Sequence, residues 1–244
     1  LLNVVERAGF GVAGIAPAPF ASGLAATTDE ERRLGTVCID MGAGATTLSV
    51  FSAGRLQMVD TVAVGGQHVT FDIARSLSTP FDQAERIKTL CGTLENTASE
   101  DQGLVAYTLV GEEEPTLHKT TKAHIHGIVS NRVTGLLTHI AERIERSGTS
   151  RLGTQGIVLT GGGSQLPGLS RFAEGLLARP VRIAHLQPAA GLAPDWCQPG
   201  FSTAVGLTRI AFDPGAGVRR EHDPSTSKES GYLERVGQWL RKGF

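Results

Sequence analysis

Two glycine-rich turns, each directly behind a short apolar strand, constrain this chain most. The first runs Val37-Cys38-Ile39-Asp40-Met41-Gly42-Ala43-Gly44-Ala45-Thr46-Thr47. The second runs Ile157-Val158-Leu159-Thr160-Gly161-Gly162-Gly163-Ser164 and passes through Leu166-Pro167-Gly168 into a helical pattern. Glycines at a strand end let backbone N–H groups approach a phosphate or ribose that a β-carbon would hold off. One such turn is weak; two, the first carrying a carboxylate, read as the two walls of one nucleotide site. Taken singly, the residues from Gly161 to Ser164 also read as a flexible turn, and Asp40 as a turn cap.

Between and around the turns, strand and helix patterns alternate, which makes the chain α/β. Leu1 to Phe10 has helical spacing, with Gly9 as its stop. A short strand near Val12 to Ala16 and an Ala-rich helix from about Phe20 to Thr28 are predicted next. Strands are then predicted at 36–41, 46–52 and 56–63. A hairpin turn at Ser52-Ala53-Gly54-Arg55 implies a mixed sheet whose first strands are antiparallel. Helices are predicted from Val69 to Ser78 and from Pro80 through Leu90, with Thr70 and Asp72 as stabilisers of the first. A short strand spans Val105 to Val110, beside the acidic Glu112 to Glu114. The clearest helix runs from Thr121 to Ser147, with apolar residues at 125, 129, 133, 136, 140 and 144. Arg143 and Arg146 in its last turn, before Gly148, complement the helix dipole. Residues 156–186 read as strand, turn, helix, strand, and Ser202 to Phe212 as a small-residue helix.

Composition narrows the function. With 244 residues and 40% hydrophobic content the chain can bury a core in more than one lobe. A net charge of −1 offers no basic face for nucleic acid. Cys38, Cys91 and Cys197 are odd in number and far apart, which reads as reduced thiols in a cytosolic protein. No apolar run reaches membrane-spanning length. His118, His124, His126 and His139 build no rival site, because His124 and His126 are two apart and do not share a helix face.

The end of the chain has a different character. Asp213 to Ser230 is polar and rich in Gly, Pro and Ser, which reads as a disordered linker. From Gly231 to Phe244, a 100° period gathers Tyr232, Leu233, Val236, Trp239, Leu240 and Phe244 on one face. Glu234, Arg235, Gln238, Arg241 and Lys242 take the other. Aromatic and aliphatic residues opposite Arg235, Arg241 and Lys242 are what an interfacial membrane helix needs. The alternative is a helix that docks back on the body.

The two turns resemble the phosphate-2 and adenosine motifs of the actin-like ATPase superfamily, and within it the FtsA family of bacterial division proteins. Gly65 to Ala74, Ala84 to Lys88, Pro199 to Leu207 and the tail match that family in order. The resemblance implies an actin-like (ribonuclease H-like) lobe with a mixed sheet flanked by helices, a smaller α/β subdomain and a C-terminal amphipathic helix. It divides the chain into 1–34, the remainder of a first lobe, and 35–80 with 151–190, the core of a second lobe. Residues 81–150 become the smaller subdomain, 191–212 a helix returning to the first lobe, 213–230 the linker and 231–244 the membrane helix. The family's phosphate-1 turn is absent, so the chain reads as the C-terminal portion of a longer protein.

The same resemblance implies ATP and Mg²⁺ as ligands. Asp40, Gly42, Ala43, Gly44 and Thr46 would face the phosphates, with Asp40 reaching Mg²⁺ through bound water. Gly66 would border them from the second lobe, and Gly161, Gly162, Gly163 and Ser164 would carry ribose and adenine. Glu85 and Lys88, one helical turn apart, match the family's adenosine pair, though they also read as a solvated surface pair. Implied partners are the FtsZ C-terminal peptide on 81–150, further copies in filaments, other division proteins and the inner face of the cell membrane at the division site. The run departs from the family pattern at Ala43, Ala45 and Thr47, where a glycine, a threonine and an acidic residue are usual. Binding spreads over many backbone contacts and tolerates this, whereas hydrolysis needs a positioned water, so ATP binding with slow hydrolysis is expected. The alternatives are an actin-like ATPase of type IV pilus assembly and a phosphotransferase of the sugar-kinase type.

Overall fold

The computed structural model describes residues 2–95, 103–112, 116–148, 156–186 and 193–213. The expected membrane helix, and all of the expected linker after Asp213, lie outside the described residues. The strands in chain order are β1 (Thr36–Met41), β2 (Thr46–Ser52), β3 (Arg55–Val62), β4 (Leu104–Tyr107), β5 (His118–Thr121), β6 (Gly156–Thr160) and β7 (Val181–Ile183). The helices are α1 (Leu2–Arg7), α2 (Ala18–Ala26), α3 (Asp29–Leu34), α4 (Gly66–Leu77), α5 (Phe81–Cys91), α6 (Lys122–Arg146), α7 (Leu169–Leu177) and α8 (Ser202–Phe212).

Five strands form one mixed sheet in the order β3-β2-β1-β6-β7, and β4 pairs with β5 in a separate ribbon. The β1–β2 and β2–β3 pairs are antiparallel, while β1–β6 and β6–β7 are parallel. The turn between β2 and β3 holds Ala53 at φ 53° and Gly54 at φ 74°, the left-handed pair a two-residue hairpin requires.

Strand alternation sorts the apolar residues onto two faces. Val37, Ile39, Met41, Leu48, Val50, Ile157 and Leu159 join a core with residues of α4, α5, α6 and α7. Cys38 and Val158, one position out of phase, pack with Ala25, Ala26 and Val205 of α2 and α8. Burial on both faces explains why β1 and β6 read as near-continuous apolar runs. Full burial also pushes the Cys38 thiol far above its ordinary range, so it stays protonated. A β-carbon on Gly206 would overlap the Ala21 carbonyl, so glycine is what lets α8 lie against α2. The 25-residue α6 buries Ile125, Val129, Val133, Leu136, Leu137, Ile140 and Ile144, the stripe its period predicts.

Several sequence expectations need correcting. Residues 10–17 form no strand: the apolar positions there are largely exposed and pair with no strand among the described residues. Helix α3 was not expected, yet Thr28 and Glu31 form a reciprocal capping box at its start. Helix α4 begins at Gly66 rather than Val69, because the His68 ring accepts the Gly65 N–H at 3.1 Å and caps the helix earlier. Strand β5 also lacked a sequence signal; it exists because β4 lies beside it.

Candidate functional site

Because β1 and β6 are parallel neighbours with Asp40 opposite Thr160, their ends deliver both glycine turns to one edge of the sheet. Ligands of α/β sheets gather at such carboxyl ends. The two turns touch. Gly161 has φ +83°, and a β-carbon on it would collide with Oδ1 of Asp40 and the Met41 backbone. A β-carbon on Gly163 would stand 3.0 Å from the Met41 carbonyl oxygen.

Helix α4 fixes the first turn. The Gly66 and Gln67 N–H groups donate to the carbonyls of Gly42 and Ala43, each at 2.9 Å. In a trans peptide the C=O and the following N–H point opposite ways. Anchoring those two carbonyls on α4 therefore turns the N–H groups of Ala43 and Gly44 away from it. Gly65 permits the approach, since a β-carbon there would lie 2.5 Å from both carbonyl oxygens.

Beside the turns opens a crevice of about 710 Å³, lined by Gly42, Ala43, Gly66, Glu85, Lys88, Gly162 and Gly163, with Gln67, Phe81, Arg132 and Gln165. Five separate segments of the chain thus share one cavity. In its wall, Lys88 Nζ donates to Glu85 Oε2 at 2.7 Å and to Thr70 Oγ1 at 2.9 Å, and it reaches the Gly66 carbonyl at 3.3 Å. Burial alone would raise the Glu85 carboxyl, but the bonds from Lys88 and Thr70 outweigh it and hold the group below its usual range. Arg132 grips Asp72 through Nε at 2.5 Å and Nη2 at 2.7 Å, tying α6 to α4.

Asp40 occupies the other face. It is one residue out of phase with Met41, and the Thr203 hydroxyl donates to its Oδ2 at 3.2 Å. Burial raises its carboxyl above the ordinary value, with hydrogen bonds from Ser22 and Thr203 opposing. Its antiparallel neighbour Thr47 carries a buried hydroxyl without a partner. Among the described residues no group of three or more His, Cys, Asp or Glu could hold a bare metal ion. One partly buried carboxylate matches a cation that keeps its water shell, as Mg²⁺ does. Open glycine backbone near two cationic side chains matches a phosphate-bearing ligand.

The structure therefore brings Gly42, Ala43, Gly66, Glu85, Lys88, Gly162 and Gly163 to one crevice, with Asp40 and Gly161 in the wall behind it. Gly44 stands exposed at the tip of the first turn. Two expected contacts are corrected. The Thr46 side chain is fully buried and its hydroxyl donates to the Val64 carbonyl at 2.7 Å, so it closes the turn instead of facing the cavity. Ser164 is likewise buried and donates to the Gly161 carbonyl at 2.7 Å. Arg143 is bound to Asp60 of β3 at 2.8 Å. Sequence reasoning missed Thr203, although it sits within the Pro199 to Leu207 stretch already singled out. It also missed Arg132 as a crevice residue, for which no local signal exists. The nine membrane-facing positions from Tyr232 to Phe244 lie outside the described residues.

The profile of the family described as Cell division protein FtsA matches residues 37–206. The chain is 39% identical over 244 residues to Cell division protein FtsA of Agrobacterium fabrum, covering 98% of this chain and 55% of that protein. It is 29% identical over 250 residues to Cell division protein FtsA of Escherichia coli K12, covering 100% and 60% respectively. The chain thus spans little more than half the length of these curated relatives. Among solved structures, MreB5 of Spiroplasma citri bound to ADP superposes with a TM-score of 0.68 at 20% identity, over 85% of this chain and 62% of that one. The PilM-PilN type IV pilus biogenesis complex does so with a TM-score of 0.63 at 20% identity, over 90% and 57%. At such identities the likeness is one of fold, and the fold is that of actin-like ATPases.

Proposed function

Because this chain belongs to the FtsA cell-division family, we propose that it is part of an ATP-binding adaptor that ties FtsZ filaments to the inner face of the cell membrane at the division site. One observation carries the nucleotide reading: two glycine turns and three helices, α4, α5 and α6, converge on the crevice between Gly42 and Gly163. Phosphates would lie on the Ala43 and Gly44 amides, and ribose and adenine along Gly162 and Gly163 toward Glu85 and Lys88. Mg²⁺ would be held through water by Asp40, where it supplies charge neutralisation for the phosphates. Binding draws on many backbone groups, whereas Ala43 and Thr47 remove groups that a reactive water would use, so slow hydrolysis at most is proposed.

The remaining roles follow the same reading. The subdomain 81–150 receives the FtsZ C-terminal peptide. The amphipathic segment from Tyr232 to Phe244 binds membrane reversibly, as one short interfacial helix does. Assembly of several copies, favoured by ATP, makes attachment durable by joining weak anchors. Other division proteins then gather on the assembled adaptor.

Gly162 offers the test. It is exposed, and a β-carbon there meets no heavy atom within 4 Å. Gly162→Leu would fill the crevice while leaving the body intact. The full-length variant should bind a fluorescent ATP analogue at least about tenfold more weakly, with an unchanged melting temperature. Equal ATP affinity in the variant would contradict the reading.

A further inference from the structure

Thr70 is fully buried, so no ligand in the crevice reaches it. Its hydroxyl nevertheless joins the two charged residues that line the cavity. Oγ1 donates to Glu85 Oε2 at 2.5 Å and accepts from Lys88 Nζ at 2.9 Å. Lys88 Nζ, held by those two oxygens, points at the Gly66 carbonyl at 3.3 Å. Gly66 is the residue whose N–H anchors the Gly42 carbonyl, and Gln67 beside it anchors Ala43. A continuous polar strut therefore runs from α5 through Thr70 to the N-terminus of α4, and from there to the peptide planes of the first glycine turn.

Resting on the nucleotide reading above, we propose that Thr70 is a positioning residue for the phosphate turn. Its hydroxyl sets Lys88 against Gly66, which fixes the direction of the Ala43 and Gly44 N–H groups. Lys88 then acts on the phosphate end of the ligand as well as beside its adenosine. A side chain that merely packs α4 against α5 would show no such preference for one end of a nucleotide. Thr70→Val keeps the shape and removes the hydroxyl, leaving Lys88 and Glu85 to pair without their shared anchor. Thr70→Ser restores the hydroxyl.

The experiment measures dissociation constants of AMP, ADP and ATP, with Mg²⁺, on the full-length protein by calorimetry. Thr70→Val should weaken ATP and ADP about tenfold, the scale of a lost hydrogen bond to a charged group, and change AMP less than about twofold. Thr70→Ser should recover most of the ATP affinity. An equal loss for all three nucleotides, no loss, or a valine-like serine variant would overturn the role of Thr70 while leaving the nucleotide site standing. Failure of the unaltered protein to bind any of the three would overturn both.

Discussion

Gly161 and Asp40 lie so close that a single methyl group on the glycine would strike the carboxylate. The contact joins two turns from distant parts of the chain, and it rests on Gly161 having no side chain and φ +83°. Gly161→Ala should therefore cost about 2 kcal/mol or more, combining left-handed strain with overpacking. Urea unfolding of the variant measures it; a loss under about 0.5 kcal/mol, the scale of an ordinary surface change, would mean that the turns are not packed this way.

The buried Asp40 carboxyl makes a pH prediction. Its value is raised in the folded protein, chiefly by burial, so the folded state takes up a proton more readily than the unfolded chain. The stability gained from that uptake is present at low pH and is lost as pH rises through the folded value. Above it, the ionised group costs stability that an amide would not. Asp40→Asn should melt higher than the unaltered protein at pH 7, and the gap should close toward about pH 4, the ordinary carboxylate range. The same variant should lose the Mg²⁺ dependence of ATP binding. Thermal melts across pH check the first part, and a variant less stable at pH 7 would contradict it.

Arg132 and Asp72 form a bidentate pair, but both are about a third exposed, at 36% and 30%. Solvent screening limits their coupling to about 0.5–1 kcal/mol despite the geometry. A double-mutant cycle with Arg132→Ala and Asp72→Ala should return that value, reduced in high salt. Zero coupling would remove the pair as a tie between α6 and α4.

Deleting Tyr232 to Phe244 should abolish co-sedimentation of the full-length protein with anionic liposomes while leaving its melting temperature unchanged. Retained sedimentation would contradict the membrane role given to this segment.

What the sequence made legible was short-range. Both glycine turns, the hairpin at Ala53 and the apolar stripe of α6 are patterns within about 25 residues, set by backbone geometry and helical period. Helix α3 is equally local: Thr28 and Glu31 spell out a capping box at its start. The residues near Val12 show the limit from the other side. Their apolar character predicts a strand, but a strand needs a partner, and among the described residues none pairs with 10–17.

The candidate site was legible in its glycines and much less so in its hydroxyls. Thr46, Ser164 and Thr70 carry the same chemical group, and only tertiary contacts decide which way each one turns. The Thr46 hydroxyl goes to Val64, that of Ser164 to Gly161 and that of Thr70 to Glu85. Asp72 likewise read as a local helix stabiliser, while its partner Arg132 comes from another helix. Such pairings depend on the packing of α4, α5 and α6, which no periodicity encodes.

The central claim is that the glycine turns after β1 and β6 hold a single nucleotide between them. A crystal structure of the full-length protein with ATP and Mg²⁺ tests it most directly. Phosphate density against the Ala43 and Gly44 amides, with ribose density at Gly162 and Gly163, is the predicted result. At saturating nucleotide, density bound elsewhere, or an empty crevice, would contradict it.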